Sequence, residues 1–106
     1  MAKYLLQVSY TAEGVAGVLE EGGASRKAMV DNLVAALGGS LEIFYFAFGE
    51  DDAIVIADVP NNVTAAAISM RVGAAGAASI VTTPLLTPEE IDEATKLTVA
   101  YRAPGA

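Results

Sequence analysis

Leu41-Glu42-Ile43-Phe44-Tyr45-Phe46-Ala47-Phe48 is the stretch on which the fold turns. Strand side chains point alternately to two faces. A continuous strand here sets Leu41, Ile43, Tyr45 and Ala47 on one side and Phe44, Phe46 and Phe48 on the other, with Glu42 the only polar group. Both sides are hydrophobic. A chain of 106 residues supplies enough helix to cover one side of a small sheet and has little left for the second. The second side calls for a partner or a ligand, so the chain is expected to form a homodimer or a higher homo-oligomer.

On the N-terminal side, Lys3 to Tyr10 alternates Tyr4, Leu6, Val8 and Tyr10 against Leu5, Gln7 and Ser9, the period of a strand with one better buried face. Thr11 to Glu21 predicts a short helix capped by Thr11, with Val15, Val18 and Leu19 together and Gly22-Gly23 ending it. Ser25 is the expected cap of a firmer helix with an apolar stripe of Met29, Leu33, Ala36 and Leu37, stopped at Gly38-Gly39. On the C-terminal side, Gly49-Glu50-Asp51-Asp52 reads as a tight turn into a third strand, Ala53 to Val59, also apolar on both faces. Asn61 or Asn62 caps the next helix, whose expected stripe is Val63, Ala66, Ala67 and Met70 and which runs to about Val72. Ala78 to Thr83 is a β-branched fourth strand ended by Pro84. Thr87-Pro88-Glu89-Glu90 then combines an N-cap, a first-turn proline and a glutamate at capping-box spacing. The order β-α-β-β-α-β with an extra C-terminal helix is that of a ferredoxin-like α+β sandwich forming one domain over residues 1–106.

Composition narrows the function classes. Thirteen acidic residues against six basic ones give a net charge of -7, and nucleic acid and anionic lipid surfaces are bound by clustered Lys and Arg, so neither is an expected partner. No apolar run is long enough to span a membrane, and Met1-Ala2-Lys3 leads directly into strand-like sequence without a signal-peptide pattern, which predicts a soluble, cytoplasmic protein. There is no cysteine and no histidine. Thiolate nucleophiles, the usual structural zinc sites and the commonest general base at neutral pH are therefore absent, and no cofactor, metal or catalytic residue is assigned. A mean hydropathy of +0.47 suits a large buried fraction.

Ser9-Tyr10-Thr11-Ala12-Glu13-Gly14, Leu37-Gly38-Gly39, Phe44-Tyr45 leading to Gly49 and Asp52, and Leu85-Leu86-Thr87-Pro88-Glu89-Glu90 together resemble the GYD-domain family of small bacterial and archaeal proteins over nearly the whole chain. Gly49 and Asp52 fit the glycine and aspartate of the family's name, but Asp51 stands where its tyrosine is expected, so no role of that tyrosine transfers. The resemblance implies no particular activity. It does imply a fold similar to dimeric α+β barrels, in which two ferredoxin-like subunits set their sheets face to face, in agreement with the two-sided strands.

Tyr10, Phe44, Tyr45, Phe46 and Phe48 are the residues expected at a dimer interface or around a small apolar ligand, with phenol groups to orient it. Arg71 and Arg26 are the cations that could grip an anionic group through a planar fork, Arg71 being preferred, although surface ion pairing accounts for such residues more often. Glu50, Asp51 and Asp52 read as a solvated turn rather than a cation site, because three adjacent side chains in a tight turn rarely converge, and Asp52 as a local hairpin cap. The expected function is that of a homo-oligomeric α+β domain, with a small apolar ligand as a further partner. The alternative is a cofactor-independent oxygenase- or isomerase-like enzyme with a small apolar cavity, in which Asp58, Glu42, Tyr10 or Tyr45 moves the proton and Arg71 stabilises negative charge.

Overall fold

The computed structural model describes residues 1–106. Its elements are β1 (Ala2–Tyr10), α1 (Ala12–Glu21), α2 (Gly23–Ala36), β2 (Ser40–Phe46), β3 (Ala53–Val59), α3 (Asn62–Ala75), β4 (Ala78–Leu85) and α4 (Pro88–Thr95). The strands form one antiparallel sheet in the order β2-β3-β1-β4. This is consistent with a ferredoxin-like α+β fold, with the first crossover made by two helices instead of one.

Three of the four helices start where a side chain satisfies a free N–H. Thr11 accepts from the Gly14 amide, Asn61 from the Thr64 amide, and Thr87 and Glu90 exchange both bonds of a capping box. The exception is α2. It begins at Gly23, and Ser25 lies inside its first turn and caps nothing. The reason is Gly22, whose φ of 87° joins the end of α1 to the start of α2 with no loop between them, a conformation open to glycine at little cost. Pro84 does not end β4, which continues to Leu85. β4 is an edge strand, where a missing N–H is tolerated.

The core lies on one side of the sheet. Tyr4, Leu6 and Val8 of β1, with Ala53, Val55, Ala57 and Val59 of β3, pack against Val34 of α2 and Ala65 and Ile68 of α3. Of its expected stripe α2 keeps Leu33 against the core, whereas α3 turns a different face to the sheet than expected. Val30, Leu33 and Val34 are the inward residues of α2, while Met29 and Leu37 are exposed. Ala65, Ile68 and Val72 are those of α3, while Val63 and Met70 point to solvent. Both sets in α3 have helical spacing, so the apolar pattern alone did not select between them.

β2 departs from simple alternation. Leu41 pairs with Ala57 and Ile43 with the next partner, Ile56, so Glu42 is an extra, bulged residue. The bulge exchanges the faces beyond it. Leu41, Phe44 and Phe46 share the helix side with Ala57, Val55 and Ala53, whereas Ile43 and Tyr45 share the other side with Ile56 and Ile54. Ile43 and Tyr45 lie together opposite Phe44 and Phe46 as expected, and the correction concerns Leu41, which the bulge leaves on the phenylalanine side. β2 also stops at Phe46, two residues short of the expected Phe48, which is fully exposed in the turn.

The side of the sheet without helices is largely apolar over β2 and β3, with Gln7 and Thr83 entering it on β1 and β4. Tyr45, Ile54, Gln7 and Val81 form one row across the four strands and Ile43, Ile56, Leu5 and Thr83 the next. Tyr45 and Val81 are 68% and 62% exposed. At one end of this face Lys3 bonds Glu42 at 2.6 Å and Asp58 at 3.0 Å. Beyond that end α4 and the tail to Ala106 project with every residue exposed, Ile91, Leu97, Val99 and Tyr101 among them. No helix is long and apolar enough to cross a membrane.

Candidate functional site

On the helix side, α2 and α3 straddle β1 and leave a cavity of about 50 Å³ between themselves and the sheet. Its floor is Leu6, Val8 and Phe44; its walls include Leu33 from α2 and Ile68 and Val72 from α3. Thirteen of its fourteen lining residues are hydrophobic, and the remaining one is Arg26. Tyr10 lines the cavity where β1 ends. Its main-chain N–H donates to Asp52 Oδ2 at 2.8 Å, and the Asp52 amide donates to the Val8 carbonyl at 2.8 Å. Asp52 thereby ties the β2–β3 turn to the end of β1, a long-range contact in place of the local cap expected of it. Asp51 accepts from Gln7 Nε2 at 2.9 Å. The neighbouring carboxylates thus bond different residues of β1, and no group of three or more acidic side chains is gathered as a set of metal ligands.

Two further hollows meet at Tyr10. A wider apolar cleft of about 390 Å³ runs between α1 and the β2–β3 turn, lined by Val15, Val18, Leu19, Phe46 and Phe48. A more polar cleft of about 140 Å³ lies on the other side of α1, with Glu13, Glu21, Gly14 and Arg26 around it. Gly14 is needed there. A Cβ on it would sit 2.0 Å from the Ala77 carbonyl oxygen and 3.1 Å from the Tyr10 ring, so only glycine lets α1 lie this close to the start of β4. Tyr10 and Arg26 are the two residues shared by the apolar cavity and the polar cleft. The Tyr10 hydroxyl makes no hydrogen bond within the chain and the Arg26 guanidinium neither hydrogen bond nor ion pair; both residues are half-buried, and no unpartnered polar atom of either is shut away from water.

The residues selected from the sequence divide between the two faces. Tyr10 and Phe44 line the cavity, Phe46 and Phe48 the adjoining cleft, and Phe44 and Phe46 meet edge to face at 5.2 Å. Tyr45 stands on the open face. Arg71 is exposed on α3 and makes no ion pair, and it does not line the cavity. Arg26, the less favoured arginine, is the one the fold brings to Tyr10. Of the possible proton carriers, Asp58 and Glu42 bond Lys3 at the end of the open face, across the sheet from the cavity. The two contacts hold the Lys3 ammonium above the ordinary lysine pKa, the Glu42 hydrogen bond contributing most and that of Asp58 next. Arg26 carried no sequence signal that set it above Arg71; its place in the first turns of α2 puts it among the residues that line the cavity.

The family model described as GYD domain matches residues 4–95. No curated protein and no solved structure matches the chain.

Proposed function

The chain belongs to the GYD-domain family, and on that premise we propose that it works as a homodimer whose subunits bury their open sheet faces against each other, each holding a small apolar ligand in the cavity on its helix side. The observation that carries the reading is the row structure of the open face, where Leu5, Ile43, Tyr45, Ile54 and Ile56 form one apolar patch beneath no helix, with Gln7 separating it from Val81. Four strands about 4.8 Å apart, paired over some seven residues of about 3.3 Å, present roughly 450 Å² in projection. A stable interface takes about 800 Å² from each partner. The apolar residues of the C-terminal segment, Ile91, Leu97, Val99 and Tyr101, are exposed and available to supply the rest. A second copy is the occupant favoured here, because it offers the same apolar patch and the same unpacked arm at once.

Light scattering after gel filtration tests the reading. A dimer at micromolar concentration is expected, and a stable monomer rejects it. Ile56→Asp sets an unpaired carboxylate in the middle of the interface on both subunits, so the dissociation constant should rise at least about 100-fold while the subunit keeps its circular dichroism spectrum.

A cofactor-independent enzyme is the second reading, favoured by one arrangement: Tyr10 and Arg26 both line the apolar cavity, and a phenol together with a guanidinium can stabilise an enolate-like anion. Since Asp58 and Glu42 lie across the sheet, proton transfer would rest on Tyr10. Turnover of an added substrate that is lost in Tyr10→Phe supports this reading; binding without turnover returns the cavity to a carrier role.

A further inference from the structure

We infer that the C-terminal arm of one subunit, Lys96 to Arg102, lies extended in the apolar cleft between α1 and the β2–β3 turn of the other subunit. The inference rests on the reading of the open sheet face as a dimer interface and adds where each arm goes.

Cleft and arm are both unfinished within the subunit. Val15, Leu19, Phe46 and Phe48 line a hollow of about 390 Å³, and all four are exposed, the Phe48 ring completely. A cavity that holds benzene has about 150 Å³, so the cleft has room for about two side chains of that size. The arm follows α4 without helix or strand. Its sequence, Lys96-Leu97-Thr98-Val99-Ala100-Tyr101-Arg102, alternates, and when extended it sets Leu97, Val99 and Tyr101 on one side. Each of the three is at least 75% exposed. Contiguous apolar groups left in water mark an interaction surface.

Charge matches one to the other. Residues 1–95 hold all thirteen acidic residues and four of the six basic ones, whereas residues 96–106 hold Lys96 and Arg102 and no acid. Glu20 and Glu21 follow Leu19 at the end of α1, and Glu50 and Asp51 lie in the turn between Phe48 and Asp52, so both walls of the cleft carry carboxylates. An apolar segment with a cation at each end complements an apolar cleft with acidic rims, and the same field disfavours an anionic occupant.

Geometry assigns the cleft to the partner. α4 begins beside Met1, Ala2 and Lys3, at the opposite end of β1 from Tyr10, which lines the cleft. The nine residues of β1 hold these ends about 26 Å apart. The arm leaves from the far end and lengthens the molecule to 56 Å, with a radius of gyration of 16.9 Å against the roughly 13 Å of a compact chain of this size. When two such sheets meet about a two-fold axis running across the strands, each end of one lies over the opposite end of the other. Each arm then emerges beside its partner's cleft. Seven extended residues reach about 23 Å, more than the roughly 10 Å between stacked sheets. One arm covers about 110 Å² in projection, and each subunit gives one and receives one, which brings the roughly 450 Å² of sheet face toward the about 800 Å² of a stable interface.

The chain has no cysteine, so introduced thiols report single contacts. Leu19→Cys and Val99→Cys, mixed, left to exchange subunits and treated with a short bismaleimide, should give a covalent dimer, whereas neither variant alone should. A chain carrying both substitutions should link to its partner and not to itself. Val63→Cys, about as exposed as Leu19 but on α3, is the control for Val99→Cys and should stay unlinked. Phe48→Ser and deletion of Lys96–Ala106 should each raise the dimer dissociation constant about tenfold. Together they should exceed either alone by no more than about threefold, because each removes the same contact. Circular dichroism of each variant confirms that it is folded. A dimer by light scattering in which positions 19 and 99 fail to link, or in which the two losses multiply to about 100-fold, overturns the inference and leaves the sheet-to-sheet dimer standing. Linkage within a single chain puts the arm in its own cleft and likewise overturns it. A stable monomer overturns both.

Discussion

The two faces of this sheet are made from alternate residues of the same strands, yet on the central strand β3 they carry side chains of different size. On β3 the helix side has Ala53, Val55, Ala57 and Val59, and the open side has Ile54, Ile56 and Asp58. Small groups under the helices let Val34, Ala65 and Ile68 approach the sheet closely. The bulkier isoleucines stand where no helix follows, beside Leu5 and Tyr45. One side is finished within the subunit, while the other offers large apolar groups to something outside it. On this strand, side-chain size more than hydrophobicity as such distinguishes the two.

The sharpest way to break that comparison is to remove the same three carbons from each side. Ile68 is buried in the core, and Ile68→Ala should lower the free energy of unfolding by about 2–5 kcal/mol, the usual cost of such a cavity, by the same amount at every protein concentration. Ile56 is half-exposed on the open side, so Ile56→Ala should cost a dilute subunit less than about 1.5 kcal/mol. Its effect should grow as the protein is concentrated, because it then includes the weakened dimer. Urea titrations at two concentrations a hundredfold apart separate the two behaviours. If Ile56→Ala is as costly as Ile68→Ala and equally insensitive to concentration, the open face is complete in the monomer and the comparison fails.

A smaller effect is expected from the arm. Deleting Lys96–Ala106 removes Leu97, Val99 and Tyr101, which touch little in the subunit. The midpoint of unfolding of the dilute protein should stay within the range of a surface change, about 0.5 kcal/mol, while the dimer dissociation constant rises about tenfold, the effect of losing one aromatic anchor. An unchanged dissociation constant, read by analytical ultracentrifugation, would leave the sheet face as the whole interface.

The element order was legible because its punctuation is local. Thr11, Asn61 and the Thr87–Glu90 box each act within a few residues of themselves, and each helix they announce is present. What was not legible depended on events the pattern does not record. The bulge at Glu42 inserts one residue, and a single insertion exchanges every later side chain between faces. The only sign of it in the sequence is that Glu42 is polar within an apolar run. In α3 the sets Val63–Ala66–Met70 and Ala65–Ile68–Val72 are equally periodic, and only the packing against β4 and β3 decides between them. The site was half legible. Tyr10 and Phe44 were found as an aromatic end and floor, but Arg26 lines the same cavity through tertiary packing of α2 on the sheet, which its sequence neighbourhood does not record.

The smallest effect concerns the polar end of the open face, and its sign follows from Lys3. Its hydrogen bond to Glu42, then that to Asp58, raise its pKa in the folded chain above the unfolded value. A raised ammonium pKa means that folding favours the protonated form. The contribution is therefore fully present below the unfolded lysine value of about 10.4, and it is lost as the pH rises through the higher folded value. Lys3 and Glu42 are about two-fifths exposed, so solvent and salt screen the cluster and its share of stability is slight. Lys3→Met should be modestly less stable than the parent at pH 7–9, and the difference should shrink above pH 10.5. In a sheet-to-sheet dimer the same three charges would lie at the rim of the interface, where pairing also sets register. The difference should then be larger in the concentrated protein than in the dilute one. A gap between the two proteins that is constant from pH 7 to pH 11.5 would show that the Lys3 stem, and not its charge, is what matters at that end of the sheet.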